Sequence, residues 1–507
     1  MSFGKAAAAL LRMASAWRAS AFAEALDDVQ AAQRRVLERL LAGSARTEYG
    51  RSLRLGPETG IDEFRERTPI VDYAALEPWI ERQRASGGAV LTPGRVRCYE
   101  PTSGSGGRAK RIPYNDAMLA SFRALFAIWA HDLFTQVLQP RSGRTFMSLS
   151  SPMQDHGGFA DDREYLGPLS RALIGRFLIM PPRLAPGGSP GAWRDALACA
   201  LVACADLEII SVWNPSYLLI LLEHFEEHRL RLAPALPPAR RAALADELQW
   251  TKVWPALQLI SCWRDGAAAA AATRLAELFP QAKLQGKGLV ATEAPLTVPL
   301  TAAGGCAPLV DEVFLELDAG GGKLRLLHET ELHAQYDVVL SQAGGLLRYR
   351  LGDRVQVSGF HRGAPLFSFA GRADGVADLV GEKLDEALVA QALDALAQPG
   401  AFCTLLPILP ERGRPYYRLL TDDPRPELAP ALDAALMQAL RYREARLLGQ
   451  LDPVQATRGP DIRRAVHDAL IATGMKAGDI KDRALISSLE HARRVSAQLS
   501  ADQRAPV

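Results

Sequence analysis

The chain has 507 residues, 48% apolar and 23% charged, a balance that excludes wholesale disorder and collagen-like or coiled-coil fibres. At ~150 residues per domain, the length fits about three compact units, or one large domain carrying a smaller one. Lys and Arg number 59 against 57 Asp and Glu, a formal charge of +2, too even for a protein whose main task is neutralising a nucleic-acid backbone.

Apolar runs such as residues 217–222 after Pro215 are far short of the ~20 residues that span a bilayer, so no membrane crossing is expected. Six scattered cysteines (Cys98, Cys199, Cys204, Cys262, Cys306 and Cys403) form no C-x-x-C pair. They indicate neither a disulfide framework nor a Cys-rich zinc site, and a reducing cytoplasm fits them.

The N-terminus is acid-poor until Glu24 and faintly resembles a transit peptide, but its alanine-rich pattern runs on through Leu26, Val29, Val36, Leu37, Leu40 and Leu41. That spacing predicts an amphipathic helix over about 21–41. A proline-punctuated helical stretch follows over 62–83. Residues 96–99 then read as a strand, 101–107 as a Gly/Ser loop, and 115–131, after Pro113, as a helix. Strand, glycine loop, helix is an order that phosphate sites use.

Short buried strands at 145–149, 177–179 and 209–212 alternate with helices at 193–203 and 216–229, which predicts α/β layering. Pro237 and Pro238 mark a helix boundary, and the alanine run 267–272 predicts a helix over 266–279. From 313 to 350 the pattern becomes β, with a further strand pair at 355–360 and 366–370. The last stretch has a helix at 385–397, strands at 403–408 and 416–420, and helices after Leu428 and Arg483. The expected fold class is α/β: a large N-terminal domain, 1–373, with layered α/β sheets and a β-rich subdomain, plus a small α+β C-terminal domain, 374–507.

The strongest motif is Thr102-Ser103-Gly104-Ser105-Gly106-Gly107-Arg108-Ala109-Lys110. Small residues leave backbone N–H groups and hydroxyls free to wrap a polyphosphate, and Lys110 adds a point charge. A Walker A loop is excluded, because counted from Gly104 it needs Gly at Ala109 and Ser or Thr at Arg111. An ordinary Gly/Ser surface loop is the other reading. Arg348-Tyr349-Arg350-Leu351-Gly352-Asp353 puts a carboxylate just past a strand, suited to ribose hydroxyls or to a solvated turn, and Arg372 is a second candidate that a surface ion pair would equally explain.

In order, TSGSGGRAK, Ala291-Thr292-Glu293, RYRLGD, GRADG and a C-terminal GDIKDR resemble the acyl- and aryl-adenylating superfamily. More narrowly, the chain is similar to the auxin-responsive Gretchen Hagen family of acyl acid amido synthetases. Carrying that resemblance are a Gln-containing first helix before Thr47-Glu48-Tyr49-Gly50, Pro69-Ile70 with Tyr73, Val212-Trp213-Asn214-Pro215-Ser216, and Gly381-Glu382-Lys383.

The resemblance implies that Ser103, Gly104, Ser105, Gly107 and Lys110 hold the phosphates of ATP, with Thr292 and Glu293 beside the nucleotide and Glu293 on Mg²⁺. It implies that Asp353 and Arg372 bind the ribose, and that Lys481, on a mobile C-terminal domain with its hinge near 374–381, meets the α-phosphate. Gly106 stands where the family usually has a second Ser or Thr, and Asp482 where a Pro usually follows soon after the lysine. The acyl pocket of the superfamily lies behind the glycine loop, so Met118, Phe122, Arg123 and Phe126 on one helix and Trp213 to Tyr217 are candidate walls. Arg123 would pair with a carboxylate or, as exposed helical arginines do, face solvent.

The implied reaction joins a carboxylic acid to the amine of an amino acid, using ATP and releasing AMP and pyrophosphate. A carboxylate oxygen is a poor leaving group, and attaching AMP replaces it with a good one. The alternatives are another acceptor (coenzyme A, a carrier thiol or a different amine) and a nucleotide-binding relative without catalysis. Two other motifs carry less. His224-Phe225-Glu226-Glu227-His228 fits H-x-x-E-H, but no motif supplies a third zinc ligand. Gly187-Gly188-Ser189-Pro190-Gly191 fits G-x-S-x-G, but Pro190 lacks the N–H that a nucleophile elbow uses for its oxyanion.

Overall fold

A computed structural model describes residues 3–502 apart from 103–109, 148–177, 180–189, 214, 245–247, 266–267, 321, 373–374, 378, 380–381, 383, 411–413, 448–450, 474 and 476. The opening segment is two helices rather than one, Phe3–Asp27 and Val29–Ser44. The break falls at Asp28, whose carboxylate accepts the Ala31 N–H at 3.0 Å and so caps the second helix. That helix buries Val29, Ala32, Val36, Leu37, Leu40 and Leu41. Gln33, on the same buried face, donates from Nε2 to the Val310 and Val313 carbonyls at 2.7 Å and accepts the Leu315 N–H at 2.9 Å.

Those carbonyls lie in the turn leading into Phe314–Asp318, the second strand of a seven-stranded antiparallel sheet in the order β12-β11-β13-β14-β15-β10-β9. Its strands are β9 (Thr297–Leu300), β10 (Gly305–Pro308), β11 (Phe314–Asp318), β12 (Leu324–Leu326), β13 (Gln335–Ser341), β14 (Tyr349–His361) and β15 (Ala364–Arg372). Where the sequence suggested separate strands at 346–350 and 355–360, β14 runs through. Gly352, at φ +85°, and register shifts against both neighbours let one strand bend without ending.

A second sheet is parallel, in the order β3-β4-β5-β6, from β3 (Arg144–Met147), β4 (Leu207–Ser211), β5 (Leu259–Cys262) and β6 (Lys283–Gly286). Helices Pro190–Ala203, Pro215–Glu227 and Ala269–Leu278 cover it. The expected strand at 177–179 survives as a parallel bridge from Leu178 to Thr145. Strands β5 and β6 were not anticipated: four residues each, one of them opening on Lys283, they show no alternation long enough to read.

The expected order of strand, glycine loop, helix is instead a hairpin and then a helix. Strand β1 (Val96–Thr102) pairs antiparallel with β2 (Lys110–Asn115), so Lys110 opens the return strand. Helix Asp116–Gln136 follows; it is long and apolar enough to cross a membrane, contrary to the run-length reading. Met118, Leu119, Phe122, Leu125 and Ile128 of that helix lie in the main core beneath the antiparallel sheet, which explains its composition.

The C-terminal part has its own cores around a three-stranded sheet of Cys403–Ile408, Tyr416–Thr421 and Gln455–Arg458. Its helix Ile462–Ala472 meets the parallel-sheet layer. Arg194 pairs with Asp468, Arg464 reaches Glu227 at 2.8 Å, and the Tyr217 and His467 rings stack at 6.2 Å. Overall this is the α/β class with a β-rich subdomain and a smaller C-terminal α+β part.

Candidate active site

The hairpin that carries the glycine loop is braced from three sides. Thr102 and Lys110 are cross-strand partners at its mouth, and residues 103–109 between them, including Ser103, Gly104, Ser105 and Gly107, lie outside the described residues. Beside the mouth, Tyr73 Oη accepts the Arg111 N–H at 2.9 Å, and Lys110 Nζ lies 6.0 Å from the Tyr73 ring centroid. Asn115 ends the hairpin. Its Oδ1 accepts the Met118 N–H at 2.8 Å, capping the next helix, while Nδ2 donates to the Pro93 and Ala343 carbonyls at 2.8 and 2.7 Å. Next to it, buried Tyr114 donates from its hydroxyl to the Thr292 carbonyl at 2.6 Å.

That last bond fixes the next part of the site. Thr292 and Glu293 form the tip of a tight hairpin between β7 (Val290–Ala291) and β8 (Ala294–Pro295). The chain reaches it from β6 through Gly288, at φ +66°, where a Cβ would fall 2.2 Å from Thr297 Oγ1. Only glycine allows that approach. Glu293 is buried, so its carboxylate is held in a defined place rather than in bulk water.

Asp353 and Arg372 face one another across β14 and β15, in direct register. Asp353 is buried. The Phe369 N–H, three residues before Arg372, donates to Asp265 Oδ2 at 3.1 Å, which ties this strand pair to the segment just past β5. The two sheets therefore meet where their functional candidates lie.

At the carboxyl ends of the parallel strands stand Trp213, Trp263 and Lys287. Lys287 Nζ lies 4.9 Å from the Trp213 ring centroid and 5.4 Å from that of Trp129, and donates to Ser211 Oγ at 2.7 Å. Trp129 donates to Gln285 Oε1 at 2.8 Å, and Phe126 packs against it with ring centroids 6.5 Å apart. Lys481 of the C-terminal part lies over Trp263, 4.1 Å from the ring centroid. Crevices outside strand carboxyl ends are where open α/β sheets bind ligands.

The predicted acyl-wall residues therefore divide. Trp213 and Phe126 join the aromatic group around Lys287. Phe122 instead stacks on Tyr114 at 5.6 Å inside the core, supporting the hairpin from below. Arg123 is exposed and among the charges near Asp116, the solvent-facing alternative for a helical arginine. Trp129, Trp263 and Lys287 were missed by sequence reasoning, the last two because their strands went unrecognised. Four apolar or small residues, Leu259 to Cys262, directly before Trp263 were the available signal.

The other motifs find structural work. In the H-x-x-E-H segment, His224 Nε2 lies 2.7 Å from Asp195 Oδ1, His228 stacks on His224, and Glu227 takes Arg464. Asp195 is held down at about 2, chiefly by hydrogen bonds from Arg231. Among the described residues, no group of three or more His, Cys, Asp or Glu could hold a metal. The G-x-S-x-G serine lies outside the described residues; the segment's Pro190 and Gly191 open the helix Pro190–Ala203. All six cysteines are free, and burial pushes the Cys262 and Cys306 thiols up to about 12, leaving them neutral and unreactive.

Layered α/β sheets, a β-rich antiparallel subdomain and a smaller C-terminal α+β part make up the architecture found in adenylate-forming enzymes. Family comparison narrows it: the GH3 family N-terminal domain matches residues 18–237 and the GH3 family central domain matches 314–372. The chain belongs to the GH3 family.

Among curated relatives, it is 26% identical over 454 residues to a probable indole-3-acetic acid-amido synthetase, GH3.12, of Oryza sativa subsp. japonica, covering 73% of each chain. It is 25% identical over 450 residues to the indole-3-acetic acid-amido synthetase GH3.8 of Oryza sativa subsp. indica, covering 74% of this chain and 72% of that one. In fold it is similar to the AtGH3.15 acyl acid amido synthetase in complex with 2,4-DB, with a TM-score of 0.79 at 17% identity over 96% of both chains. A 2-hydroxyisobutyryl-CoA ligase shares the fold more loosely, with a TM-score of 0.53 at 14% identity over 93% of this chain and 91% of that one.

Proposed function

We propose that this chain is an ATP-dependent acyl acid amido synthetase. It adenylates a carboxylic acid and then passes the acyl group to the amine of an amino acid. The observation that carries the reading is the Tyr114 bond to Thr292, which couples the hairpin bearing the glycine loop to the turn bearing Glu293. That bond would give the glycine loop and Glu293 one shared, buried mounting, and family membership supplies the reaction class.

In the first half-reaction a carboxylate oxygen attacks the α-phosphorus of ATP and the bond to pyrophosphate breaks. Two anions must approach, so Lys110, the loop N–H groups and Lys481 would stabilise the accumulating charge, while Asp353 and Arg372 would hold the ribose. A magnesium ion would suit Glu293: it is a buried carboxylate on the turn that Tyr114 ties to the hairpin, and it would be the protein ligand. Bound there, Mg²⁺ would shield the β- and γ-phosphate charge. In the second half-reaction the neutral amine attacks the acyl carbon, the amide forms and AMP leaves with the former carboxylate oxygen.

The acid would lie against Trp213, Phe126, Trp129 and Lys287. Residues 374–507 would turn between half-reactions about a hinge near 374–381, carrying Lys481 in and out. The small free reactants, with no requirement for nucleic acid or membrane, suit a cytoplasmic setting.

The test is carboxylate-dependent ATP–pyrophosphate exchange over indole, phenyl, benzoic, jasmonic-type and fatty acids, with Glu293→Gln as control. Exchange with an acid, lost in Glu293→Gln and dependent on Mg²⁺, is the expected result. ATP binding with no exchange for any acid would contradict the reading, and full exchange in Glu293→Gln would remove Glu293 from the metal.

A further inference from the structure

Three parallel strands end in register. Ser211, Ser261 and Gln285 are aligned across β4, β5 and β6, and two residues beyond each stands one large side chain: Trp213, Trp263 and Lys287. The alignment persists past the sheet, because the Trp263 N–H donates to the Trp213 carbonyl at 2.8 Å. The side chains form a row in which cations flank rings. Lys287 lies on Trp213, the Trp213 and Trp263 centroids are 5.8 Å apart, and Lys481 lies on Trp263.

Lys481 is the member of this row that comes from the C-terminal part. Its ammonium is 4.1 Å from the Trp263 centroid and 5.3 Å from that of Phe369, well inside the ~6 Å at which a ring quadrupole attracts a cation. The two rings come from different sheets, Trp263 from the end of β5 and Phe369 from β15. The Phe369 N–H to Asp265 bond holds those segments together, so the distance between the two rings is set by the junction of the sheets.

We propose that Trp263 is a positioning residue for the first half-reaction, its indole face seating the Lys481 ammonium over the strand ends where the acid and the α-phosphate meet. The inference rests on the reading of Lys481 as the adenylation lysine. A lysine on a four-carbon stem loses rotamer freedom when it is fixed for chemistry, and a seat formed before substrate arrives moves that loss out of the reaction step. An indole suits the task better than a carboxylate. It attracts the cation without cancelling its charge, and it yields the ammonium to a phosphate, which a buried ion pair would resist. The seat also engages Lys481 in one orientation of the C-terminal part, so it favours the adenylating arrangement over the one that follows.

The experiment uses the full chain and the acid that gives exchange, with Trp263→Leu, Trp263→Phe, Lys481→Ala and the Trp263→Leu/Lys481→Ala double variant. The readouts are the exchange kcat, the KM for ATP, and amide formation from a supplied acyl-adenylate. Trp263→Leu is expected to lower the exchange kcat by about tenfold or more, with KM for ATP shifted by less than about twofold. Trp263→Phe should recover most of the loss, and in the Lys481→Ala background Trp263→Leu should add nothing. Amide formation from supplied adenylate should fall far less than exchange.

Wild-type exchange in Trp263→Leu, with Lys481→Ala inactive, would overturn the seat. So would an equal loss in both half-reactions, or a full further loss in the double variant, because either assigns Trp263 a structural role alone. Full exchange in Lys481→Ala is a different failure: it would remove the lysine assignment itself, and the seat with it.

Discussion

Replacing Tyr114 by Phe tests how far the two halves of the proposed nucleotide site depend on one bond. The substitution keeps the ring, its stacking on Phe122 and its full burial, and removes the hydroxyl that donates to the Thr292 carbonyl at 2.6 Å. No cavity forms, so the cost is that of a buried carbonyl losing its donor, about 1–3 kcal/mol. Because the carbonyl sits one residue before Glu293, the turn will relax to recover solvent or another donor, and Glu293 will move with it. A shift of ~1 Å in a group that orders reacting phosphates costs as much as 100-fold in favourable cases, and a partial shift here should lower kcat/KM for ATP by about tenfold. Exchange rates against ATP concentration give that ratio, and thermal unfolding should show a loss of a few degrees. Wild-type kcat/KM together with a lowered melting temperature would refute the coupling while leaving the bond as stabilising. Wild-type values for both would refute the bond's importance altogether.

Arg348→Met should destabilise the chain by about 3 kcal/mol, measured by denaturant unfolding, because it removes the 2.8 Å partner of the buried Glu316 carboxylate and leaves Arg65 alone to compensate. Trp213→Ala should raise KM for the acid about tenfold while changing KM for ATP less than about twofold, if the acid lies against the strand-end aromatic group. His467 gives a pH test. Burial, aided by nearby Arg194, lowers it to about 3, and it stacks on Tyr217 at the contact between the C-terminal helix and the parallel-sheet layer. A base depressed in the folded state binds its proton more readily when unfolded, so its contribution falls as pH drops from about 6.5 toward 3, by ~1.4 kcal/mol per unit. Unfolding measured between pH 7 and 5 should therefore be less steeply acid-dependent in His467→Gln, and an unchanged slope would show that His467 is not buried neutral.

Much of the candidate site was legible because its residues sit in local patterns. A glycine-serine run, a Thr-Glu pair and an Asp beside a strand can each be read from neighbours, and a resemblance spanning many motifs orders them along the chain. Several of those same motif residues turn out to support rather than to react. Gln33 spends its amide on the backbone at Val310, Val313 and Leu315. Thr47 caps the short helix that follows it, accepting the Gly50 N–H at 3.0 Å, and Arg348 pairs with Glu316 in the interior. Motif matching finds such residues without saying what they do, because the partner lies far away in sequence.

The unread part was of the same kind. Trp263 and Lys287 share a crevice only because Ser211, Ser261 and Gln285 are aligned in a parallel sheet, a long-range pairing with no local trace in four-residue strands. The single helix expected over 21–41 failed for a local reason, since Asp28 is as good a cap as it is a surface residue. The hairpin before helix Asp116–Gln136 was read as strand and loop alone because Pro113 in β2 reads as a helix-start signal.

The most direct measurement follows one oxygen atom. The acid that supports exchange is prepared with ¹⁸O in its carboxylate and incubated with the full chain, ATP, Mg²⁺ and the amino acid, and the products are weighed by mass spectrometry. An acyl-adenylate route places one ¹⁸O in AMP for each amide formed, and none in pyrophosphate. Amide accompanied by ¹⁸O in inorganic phosphate, or by unlabelled AMP, would contradict adenylation as the way this chain activates its acid.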